Sequence, residues 1–511
     1  MQVLAAIDAG TIGCRTIIFD ESGRETARDY QEYPSTYPRP AWVEQNAMDW
    51  WRAVCNTSQR AIEKAGISPG DIVGISVTNQ RETTVPVDEN GNPLRNAIIW
   101  QDRRTVKQCE EIRKKVGVSE VYQTTGLTID PYFSAPKILW IKENEPRIFN
   151  STYKFMLVHD FIEMKLTDMF ITDWSNASRT LLFDVEKFNW SEKICNTLEI
   201  PLEKLNKAYS SGVKIGEITA RAAKETGFAE GTPVVVGGGD QQCGALGVGV
   251  IKQGRIKATM GTGTFLLAYT DKPKHDPKKR VLFSCHADPR KWVVEASIFT
   301  TGSVYRWFRD QLGHTEKSAA QILGKDPYDI LCDVAAQAPP GSGGVVLIPH
   351  FVGAGAPYWD PDARGVIVGL ALGHTRAHLI RAIMEGACFE VRKSIEIMKE
   401  LGLKFDEVRI TGGATRSPLW NQIQADIYNI PVARGNVEEA TSLGAAILAG
   451  VGVGIYKSVS EASETMVQIS ERREPDEKNR EVYDKLYKVH NDVYMALKEK
   501  GVYASLSEFS V

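Results

Sequence analysis

Gly237 to Gly244, with the sequence Gly-Gly-Gly-Asp-Gln-Gln-Cys-Gly, is the stretch from which we predict the fold. The apolar run at 232–236 precedes it and predicts a buried strand. The three glycines predict a sharp turn and a backbone that approaches a ligand closely. Asp240 would then follow a strand end, where its carboxylate can accept a proton from a bound hydroxyl. On this stretch alone, a simple helix-capping role for Asp240 explains the pattern equally well.

Length and composition narrow the class of protein. The chain has 511 residues, more than one hydrophobic core usually organises, so two large domains are expected. A net charge of -3 gives no electrostatic reason to expect a nucleic-acid or anionic-membrane partner. No apolar run approaches the roughly 20 residues that span a bilayer, and no signal peptide is expected. The scattered cysteines, without a Cys-x-x-Cys pair, predict reduced thiols and a cytoplasmic enzyme.

The N-terminus predicts a hairpin with a glycine-bearing turn. Residues 3–7 and 16–19 are apolar, and Asp-Ala-Gly-Thr-Ile-Gly-Cys-Arg lies between them at 8–15. Such a turn can present backbone N–H groups to a phosphate. Asp8 would hold a magnesium ion through water, and Arg15 would neutralise phosphate charge. Taken alone, a plain hairpin turn explains the pattern better.

Three features of the first half recur in the same order in the second half, which predicts an internal duplication. The small residues in the predicted helices 242–247 and 441–446 would let these two helices cross closely and form a hinge between the halves. The repeated hairpin, around Gly-Thr-Gly-Thr at 261–264, favours two turns that hold phosphate together. The recurring pairs are the hairpins 3–19 and 256–269, the strands 71–77 and 406–410, and the helices 242–247 and 441–446.

Polar residues suited to a small polyol lie in the first half. Arg81 and Glu82 must lie past the end of the strand at 71–77 to serve one ligand, because neighbours within a strand face opposite sides. Arg81 can donate hydrogen bonds to hydroxyl groups and Glu82 can accept them. The alternative is an exposed ion pair that contributes about 0–1 kcal/mol. Trp100 is either an apolar wall for a substrate or part of the core, and Tyr132 offers a phenol.

Other segments predict structure more than chemistry. Residues 134–144 predict a helix, and the charged tail at 464–500 predicts a solvated helix. Residues 351–362 are rich in glycine and proline and predict irregular backbone. His374 and His378, four residues apart, are a weak metal candidate because no third ligand is evident.

Several of these motifs resemble the FGGY carbohydrate kinases, and the resemblance spans nearly the whole chain. It implies an α/β fold of two actin/ribonuclease H-like domains, residues 1–251 for substrate and 252–511 for nucleotide, with an interdomain active-site cleft. It also implies ATP-dependent phosphorylation of a terminal hydroxyl of a small polyol such as glycerol. The matching motifs are Thr-Asn-Gln-Arg-Glu-Thr at 78–83, Thr-Gly-Leu at 125–127, Asp-Pro-Tyr-Phe at 130–133, Asn-Ala-Ser-Arg-Thr at 176–180 and Gly-Asp-Gln-Gln at 239–242.

The resemblance implies roles for individual residues. Asp240 is the expected general base and Asp8 the expected ligand of Mg2+, with ATP as the phosphoryl donor. Family members often form dimers or tetramers. The expected substrate-binding residues are Arg81, Glu82, Trp100, Tyr132, Asp240, Gln241 and Phe265. The expected nucleotide-binding residues are Thr11, Arg15, Gly261, Thr262, Gly302, Arg306, Gly413 and Ser417.

Departures from the family pattern keep other substrates open. Ile12 stands where members that act on glycerol have a threonine near the γ-phosphate, and Arg306 and Ser417 replace an amide pair. A glycine-rich loop that binds fructose 1,6-bisphosphate in some members has no counterpart around 222–231. The second half looks more like kinases of xylulose or autoinducer-2, so xylulose, erythritol or an autoinducer-2-like diol are alternative substrates. An actin- or chaperone-like ATPase with a protein partner is the rival from another class.

Overall fold

Residues 2–509 are described by a computed structural model, in which the chain folds as two units. The first unit contains the residues up to Ile251 together with Tyr269–Val293 and Glu439–Gln468. The second unit contains Lys252–Ala268, Val294–Glu438 and the residues from Ile469 onward. Each unit is therefore assembled from segments that are distant in the chain.

The secondary structure alternates between strands and helices, as expected for an α/β protein. The strands are β1 (Val3–Ala9), β2 (Gly13–Asp20), β3 (Glu25–Glu32), β4 (Glu44–Gln45), β5 (Ile72–Asn79), β6 (Val85–Val87), β7 (Ala97–Ile98), β8 (Lys154–Met156), β9 (Ile171–Asp173), β10 (Phe183–Asp184), β11 (Asn189–Trp190), β12 (Lys207–Tyr209), β13 (Lys214–Glu217), β14 (Pro233–Gly239), β15 (Gly254–Met260), β16 (Thr264–Thr270), β17 (Leu282–Cys285), β18 (Trp292–Ile298), β19 (Val346–Ile348), β20 (Val366–Val368), β21 (Phe405–Thr411), β22 (Val432–Gly435) and β23 (Ile469–Arg473). The helices are α1 (Ala47–Ala65), α2 (Val106–Lys115), α3 (Val118–Thr125), α4 (Ser134–Asn144), α5 (Pro146–Ser151), α6 (Val158–Thr167), α7 (Trp174–Ala177), α8 (Glu192–Leu198), α9 (Ala220–Thr226), α10 (Asp240–Gly247), α11 (Gly302–Gln311), α12 (His314–Leu323), α13 (Pro327–Ala335), α14 (Arg376–Glu400), α15 (Pro418–Tyr428), α16 (Ala440–Gly452), α17 (Val459–Met466), α18 (Glu477–Glu499) and α19 (Val502–Ser507).

The first unit is built on a six-stranded sheet with the order β13-β14-β5-β1-β2-β3. β1 forms the predicted antiparallel hairpin with β2 and runs parallel to β5, which runs parallel to β14. Every residue of β1 is buried, because its sequence is almost entirely apolar and neighbouring elements cover both faces of the sheet. The carboxyl ends of β1, β5 and β14 therefore meet at one edge of the sheet.

The second unit repeats this arrangement. Within its sheet the strands follow the order β18-β16-β15-β21-β22-β23. β15 pairs antiparallel with β16 and parallel with β21, as β1 pairs with β2 and β5. The hairpins and strands predicted from the repeats are confirmed, as is the helix at 134–144.

The close crossing of two small-residue helices is also confirmed. A Cβ on Gly247 of α10 would lie 1.8 Å from the carbonyl oxygen of Ala440, and a Cβ on Gly444 of α16 would lie 1.8 Å from that of Cys243. Only glycine allows the two backbones to approach so closely. Both helices belong to the first unit, and their role as a hinge stays a prediction.

Three expectations about local structure are wrong. Gly237 to Gly239 complete β14 instead of forming a sharp turn, and Gly239 is extended at φ -60° and ψ 149°. The tail is not helical throughout, because Ile469–Arg473 forms β23 against β22. His374 and His378 do not share a helix face, since His374 precedes α14 and only His378 lies within it.

Two further findings concern the chain as a whole. All eight cysteines are free thiols. Among the residues that the structure describes, no helix has the length and apolar character needed to cross a bilayer.

Candidate active site

The carboxyl edge of the first sheet gathers most of the predicted site residues. The ends of the three parallel strands are in register, with Asn79 of β5 opposite both Ala9 of β1 and Gly239 of β14. Asp240 begins α10 directly after β14. Ligands of α/β sheets bind outside the carboxyl ends of their strands, so this edge is the natural place for a site.

The glycines before Asp240 are required by close packing within the protein. A Cβ on Gly237 would lie 1.7 Å from the carbonyl oxygen of Val77, and a Cβ on Gly239 would lie 2.6 Å from Cδ of Arg81. Bare backbone therefore lets β14 pass β5 and leaves room for the stem of Arg81. This packing requirement explains the glycines without the turn that the sequence predicted.

Arg81, Glu82 and Asp240 form a charged cluster. Nε of Arg81 lies 3.3 Å from Oδ1 of Asp240 and 3.9 Å from Oε1 of Glu82. The side chains of Arg81 and Glu82 are buried, whereas that of Asp240 is 31% exposed. The N–H of Gln241 donates to Oδ1 of Asp240 at 2.7 Å. Asp240 is thus held by its neighbours while its carboxylate stays open to a ligand.

Arg179 completes this cluster and was not among the predicted site residues. Its Nε donates to Oε1 of Glu82 at 2.6 Å, and the Ser134 hydroxyl donates to the carbonyl of Glu82 at 3.0 Å. Glu82 itself has φ of 65°, a left-handed conformation that costs free energy in a residue other than glycine. The match of Asn-Ala-Ser-Arg-Thr at 176–180 to the family motif was the signal that could have identified Arg179.

Trp100 and Tyr132 form an aromatic wall in the same unit. Their rings meet edge to face with centroids 5.6 Å apart. Nε1 of Trp100 donates to the hydroxyl of Thr11 at 2.9 Å. This hydrogen bond connects the wall to the first glycine turn, which lies between β1 and β2. The guanidinium of Arg179 lies 5.7 Å from the centre of the Tyr132 ring. The two proposed substrate-binding aromatics are therefore in contact with each other and with the charged cluster.

The first glycine turn has its carbonyl groups turned inward. Tyr33 donates to the carbonyl of Gly10 through its hydroxyl and to that of Ile12 through its N–H, and Gln45 donates to that of Thr11. An anion on the open side of the turn would therefore not meet these carbonyl oxygens. This arrangement fits the predicted phosphate-binding role.

Asp8 lies just before this turn in an unusual electrostatic environment. Burial raises its pKa to about 7; Glu439 and Asp240 act in the same direction, and Arg15 opposes them. Nε of Arg15 lies 3.8 Å from Oδ2 of Asp8, and Nη1 of Arg15 donates to Oε2 of Glu439. Sequence reasoning missed Glu439, which reaches Arg15 from a distant part of the chain.

The surroundings of Asp8 fit a hydrated magnesium ion. A divalent cation would stabilise the ionised form of a carboxylate that burial otherwise disfavours. Among residues 2–509 no group of three or more His, Cys, Asp or Glu side chains is arranged to hold a metal. Mg2+ commonly uses one or two carboxylates together with water and substrate phosphates, so a single buried aspartate is compatible with it.

The second unit contains a cleft of about 480 Å³ that brings together the predicted nucleotide-binding residues of that unit. The second glycine turn, between β15 and β16, packs against the start of α11. A Cβ on Gly302 would lie 2.2 Å from the carbonyl oxygen of Gly261 in this turn. Phe265, which was predicted to bind substrate, lies in β16 opposite Thr259 and is not among the residues that line this cleft. The predicted residues that do line it are Gly261, Thr262, Gly302, Arg306, Gly413 and Ser417.

Three aromatic residues in this cleft were not predicted. The rings of Tyr305 and Tyr328 are stacked with centroids 5.5 Å apart, and Tyr305 meets Trp420 at 5.0 Å. They give the cleft an apolar wall beside the charged side chain of Arg306. A planar base can stack on such a wall.

Comparisons with known proteins show the family of this chain. Residues 3–247 match the model of the N-terminal domain of the FGGY family of carbohydrate kinases, and residues 256–453 match its C-terminal domain. The chain is 38% identical to glycerol kinase 2 of Thermotoga maritima over 505 residues, covering 95% of this chain and 97% of that protein. It is 37% identical to the glycerol kinase of Methylibium petroleiphilum over 478 residues, covering 90% and 93% of the two chains.

Solved structures are similar over the same length. The crystal structure of Plasmodium falciparum glycerol kinase with ADP gives a TM-score of 0.87 at 26% identity, covering 97% of this chain and 98% of that one. A xylulose kinase from Rhodospirillum rubrum gives a TM-score of 0.89 at 27% identity, covering 98% and 99%.

These matches cover both halves of the molecule. The chain belongs to the FGGY family of carbohydrate kinases. Its fold is the two-domain, actin/ribonuclease H-like fold of that family, and the enzyme class is an ATP-dependent phosphotransferase. The family, the fold and the enzyme class predicted from the sequence are confirmed.

Proposed function

We propose that this protein is a glycerol kinase, which transfers the γ-phosphoryl group of ATP to a terminal hydroxyl of glycerol. The observation that carries the proposal is the cluster of Arg81, Glu82 and Asp240 beside the aromatic pair Trp100 and Tyr132. Relatives named glycerol kinase at 37–38% identity over nearly the whole chain support it.

In the proposed substrate site, charge and shape suit a short polyol. Glu82, held by Arg179, accepts hydrogen bonds from hydroxyl groups, and Arg81 donates to their oxygens. The carbon backbone of the polyol packs against Trp100 and Tyr132. The half-exposed carboxylate of Asp240 accepts the proton of the attacking hydroxyl as the new P–O bond forms.

On the nucleotide side, the enzyme mainly has to position the phosphates and neutralise charge. The proposed residues of the second unit, from Gly261 to Ser417, hold ATP in the cleft that they line. In the first unit, Thr11 and Arg15 face the transferred phosphoryl group. Asp8 would hold a hydrated Mg2+, which supplies positive charge to the phosphates when bound. Arg81 keeps Asp240 oriented, and Arg15 neutralises developing charge.

We also infer a cytoplasmic location, which the eight free thiols support because such thiols persist in a reducing compartment. Assembly as a homodimer or tetramer stays a prediction.

The substrate is tested by ADP release from the purified protein with ATP and Mg2+ over glycerol, erythritol, D-xylulose and no acceptor. We expect kcat/KM for glycerol to exceed that for the other acceptors by at least about 100-fold, since a site built to pair with particular hydroxyls discriminates strongly. Preference for D-xylulose would contradict the substrate assignment and favour the reaction named for the Rhodospirillum rubrum relative. ADP release that is independent of any polyol would contradict the kinase assignment itself.

A further inference from the structure

A buried group of ionisable side chains contacts β14, the strand that leads into Asp240. His159 and Glu163 come from α6, and Asp173 ends β9. The side chains of all three are completely excluded from solvent. None of them takes part in the chemistry described above, and buried charges persist only where they are paired and hydrogen-bonded.

His159 and Glu163 support the first glycine of the Gly-Gly-Gly run. The backbone N–H of Gly237 donates to Oε1 of Glu163 at 3.2 Å. Nε2 of His159 lies 2.9 Å from the same oxygen. Burial alone would lower the pKa of His159, but Glu163, Asp160 and Asp173 raise it well above its ordinary value. His159 therefore faces the side chain that accepts from Gly237.

Ser175 and Asp173 support the last glycine of the run. The hydroxyl of Ser175 donates to Oδ2 of Asp173 and accepts the backbone N–H of Gly239 at 2.9 Å. Asp173 also accepts the N–H of Ser175 at 2.6 Å. A Cβ on Gly238 would lie 3.1 Å from Oγ of Ser175, so the hydroxyl is packed directly against the strand.

These contacts matter because glycines have no side chains that could fix them. Three glycines in succession have the largest backbone freedom of any tripeptide. A catalytic group displaced by about 1 Å can lose about 100-fold in rate. Asp240 follows Gly239 directly, so the orientation of its carboxylate depends on where Gly239 is held.

We propose that Ser175 and Glu163 are positioning residues, which anchor the backbone N–H groups of Gly239 and Gly237 and thereby aim the carboxylate of Asp240 at the substrate hydroxyl. The inference rests on the proposed function, because it assigns these residues a purpose within that same site. Asp173 and His159 act through these two residues. Asp173 orients the hydroxyl of Ser175, and His159 faces Glu163.

The test compares three variants of the full-length protein. In Ser175→Ala the N–H of Gly239 loses its acceptor, and we expect kcat with glycerol to fall about tenfold while KM for ATP stays within twofold. Ser175→Thr keeps a hydroxyl and should restore most of the lost kcat. Ser211→Ala is the matched control: Ser211 is also buried in the first unit, and its hydroxyl has no hydrogen-bond partner among the described residues. This control should keep the kcat of the unmodified protein.

Hydrogen exchange provides a second measurement that does not depend on turnover. The amides at 237–239 should exchange about tenfold faster in Ser175→Ala than in the unmodified protein, and equally fast in Ser211→Ala. A Ser175→Ala variant with unchanged kcat would overturn the inference, and so would an equal loss of kcat in Ser211→Ala. If the unmodified protein does not phosphorylate glycerol, the proposed function fails. The hydrogen-exchange rates then test the positioning role by themselves, and rates at 237–239 that are unchanged in Ser175→Ala would overturn the inference.

Discussion

The two glycine turns share one scaffold and differ in charge. In the hairpin of the first unit, Asp8 of β1 pairs with Arg15 of β2, and each lies two positions from the turn. The corresponding pair in the second unit is Thr259 and Phe265. The duplicated hairpin thus carries an ionic pair in one copy and a neutral pair in the other.

The parallel strand beside each hairpin shows the same contrast. β5 of the first unit leads into Arg81 and Glu82, whereas β21 of the second unit leads into Gly412 and Gly413. Charged side chains thus follow this strand in the unit that we propose makes and breaks bonds, and glycines follow it in the other unit. Bare backbone and aromatic rings line the cleft that we propose holds the nucleotide, together with the charged side chains of Arg306, Asp326, Asp329 and Arg416. Side chains at equivalent positions, and not a change of scaffold, therefore separate the two proposed roles.

The largest expected effect comes from removing the central charge of the first unit. Arg81→Met removes the guanidinium beside Asp240 and Glu82; because Glu82 keeps its partner Arg179 and Asp240 is 31% exposed, we expect the free energy of unfolding to fall by about 1–3 kcal/mol. Denaturant unfolding measures it. The control Arg221→Met removes an exposed ion pair with Asp168 in the same unit and should change stability by about 0–1 kcal/mol. Equal effects of the two substitutions would contradict the contrast in charge.

A second variant tests the glycine turn of the second unit, between β15 and β16. Gly302→Ala places a Cβ 2.2 Å from the carbonyl oxygen of Gly261, and overpacking of this kind costs about 1–3 kcal/mol. We expect KM for ATP to rise about tenfold or more with KM for glycerol changed less than threefold. Gly373→Ala is the control, since an added Cβ there meets nothing within 4 Å. A rise confined to KM for glycerol would contradict the assignment of this turn to the nucleotide.

Two buried histidines extend the comparison to pH. His159 of the first unit has a raised pKa, so the stability it contributes is complete below its unfolded value near 6.5 and is lost as pH rises through the folded pKa. His490 of the second unit has a pKa lowered to about 3, mainly by burial, with Glu390 opposing and Lys393 adding to the shift. Its effect has the opposite sign: stability is lost as pH falls from about 6.5 towards 3.

Histidine proton resonances in NMR titrations measure both values. The His159 resonance should show no titration step near pH 6.5, and that of His490 should remain in the neutral form down to about pH 4. Each unit of difference in pKa corresponds to about 1.4 kcal/mol. If both histidines titrate near pH 6.5, the contrast between the two interiors is wrong.

The smallest effect is expected at the tip of the first turn. Ile12, one of the departures from the family pattern noted in the sequence, is 66% exposed. Ile12→Thr should change the free energy of unfolding by less than about 0.5 kcal/mol, because the side chain has few contacts to lose. KM for ATP should change less than about threefold. A change in KM of tenfold or more would show that this side chain contacts the nucleotide.

The repeated elements were predictable because local patterns determine them. Apolar runs predicted both hairpins and the strands at 71–77 and 406–410, which form β5 and β21 in the structure. The segment from Ser134 to Asn144 predicted α4. The motif at 78–83 placed Arg81 and Glu82 past the end of β5, where the structure has them.

The remaining features depend on contacts between distant segments. Glu439 reaches Arg15 from 424 positions away, and no local pattern indicates such a pairing. Gly237 is fixed by the carbonyl of Val77 in the neighbouring strand, so a strand continued where the sequence suggested a turn. β23 forms because its residues meet the edge of β22, although their composition is highly charged. Tertiary contacts decided each of these cases.

In our proposal Asp240 of the first unit removes the proton, and the cleft of the second unit binds the nucleotide. The most direct measurement is glycerol phosphorylation and ATP binding in Asp240→Asn, which keeps the size of the side chain and removes its basicity. General-base catalysis contributes about 100- to 10,000-fold, so we predict a fall in kcat of that size with the Kd for ATP unchanged within about twofold. Activity within about threefold of the unmodified protein, or loss of ATP binding in step with activity, would contradict the account.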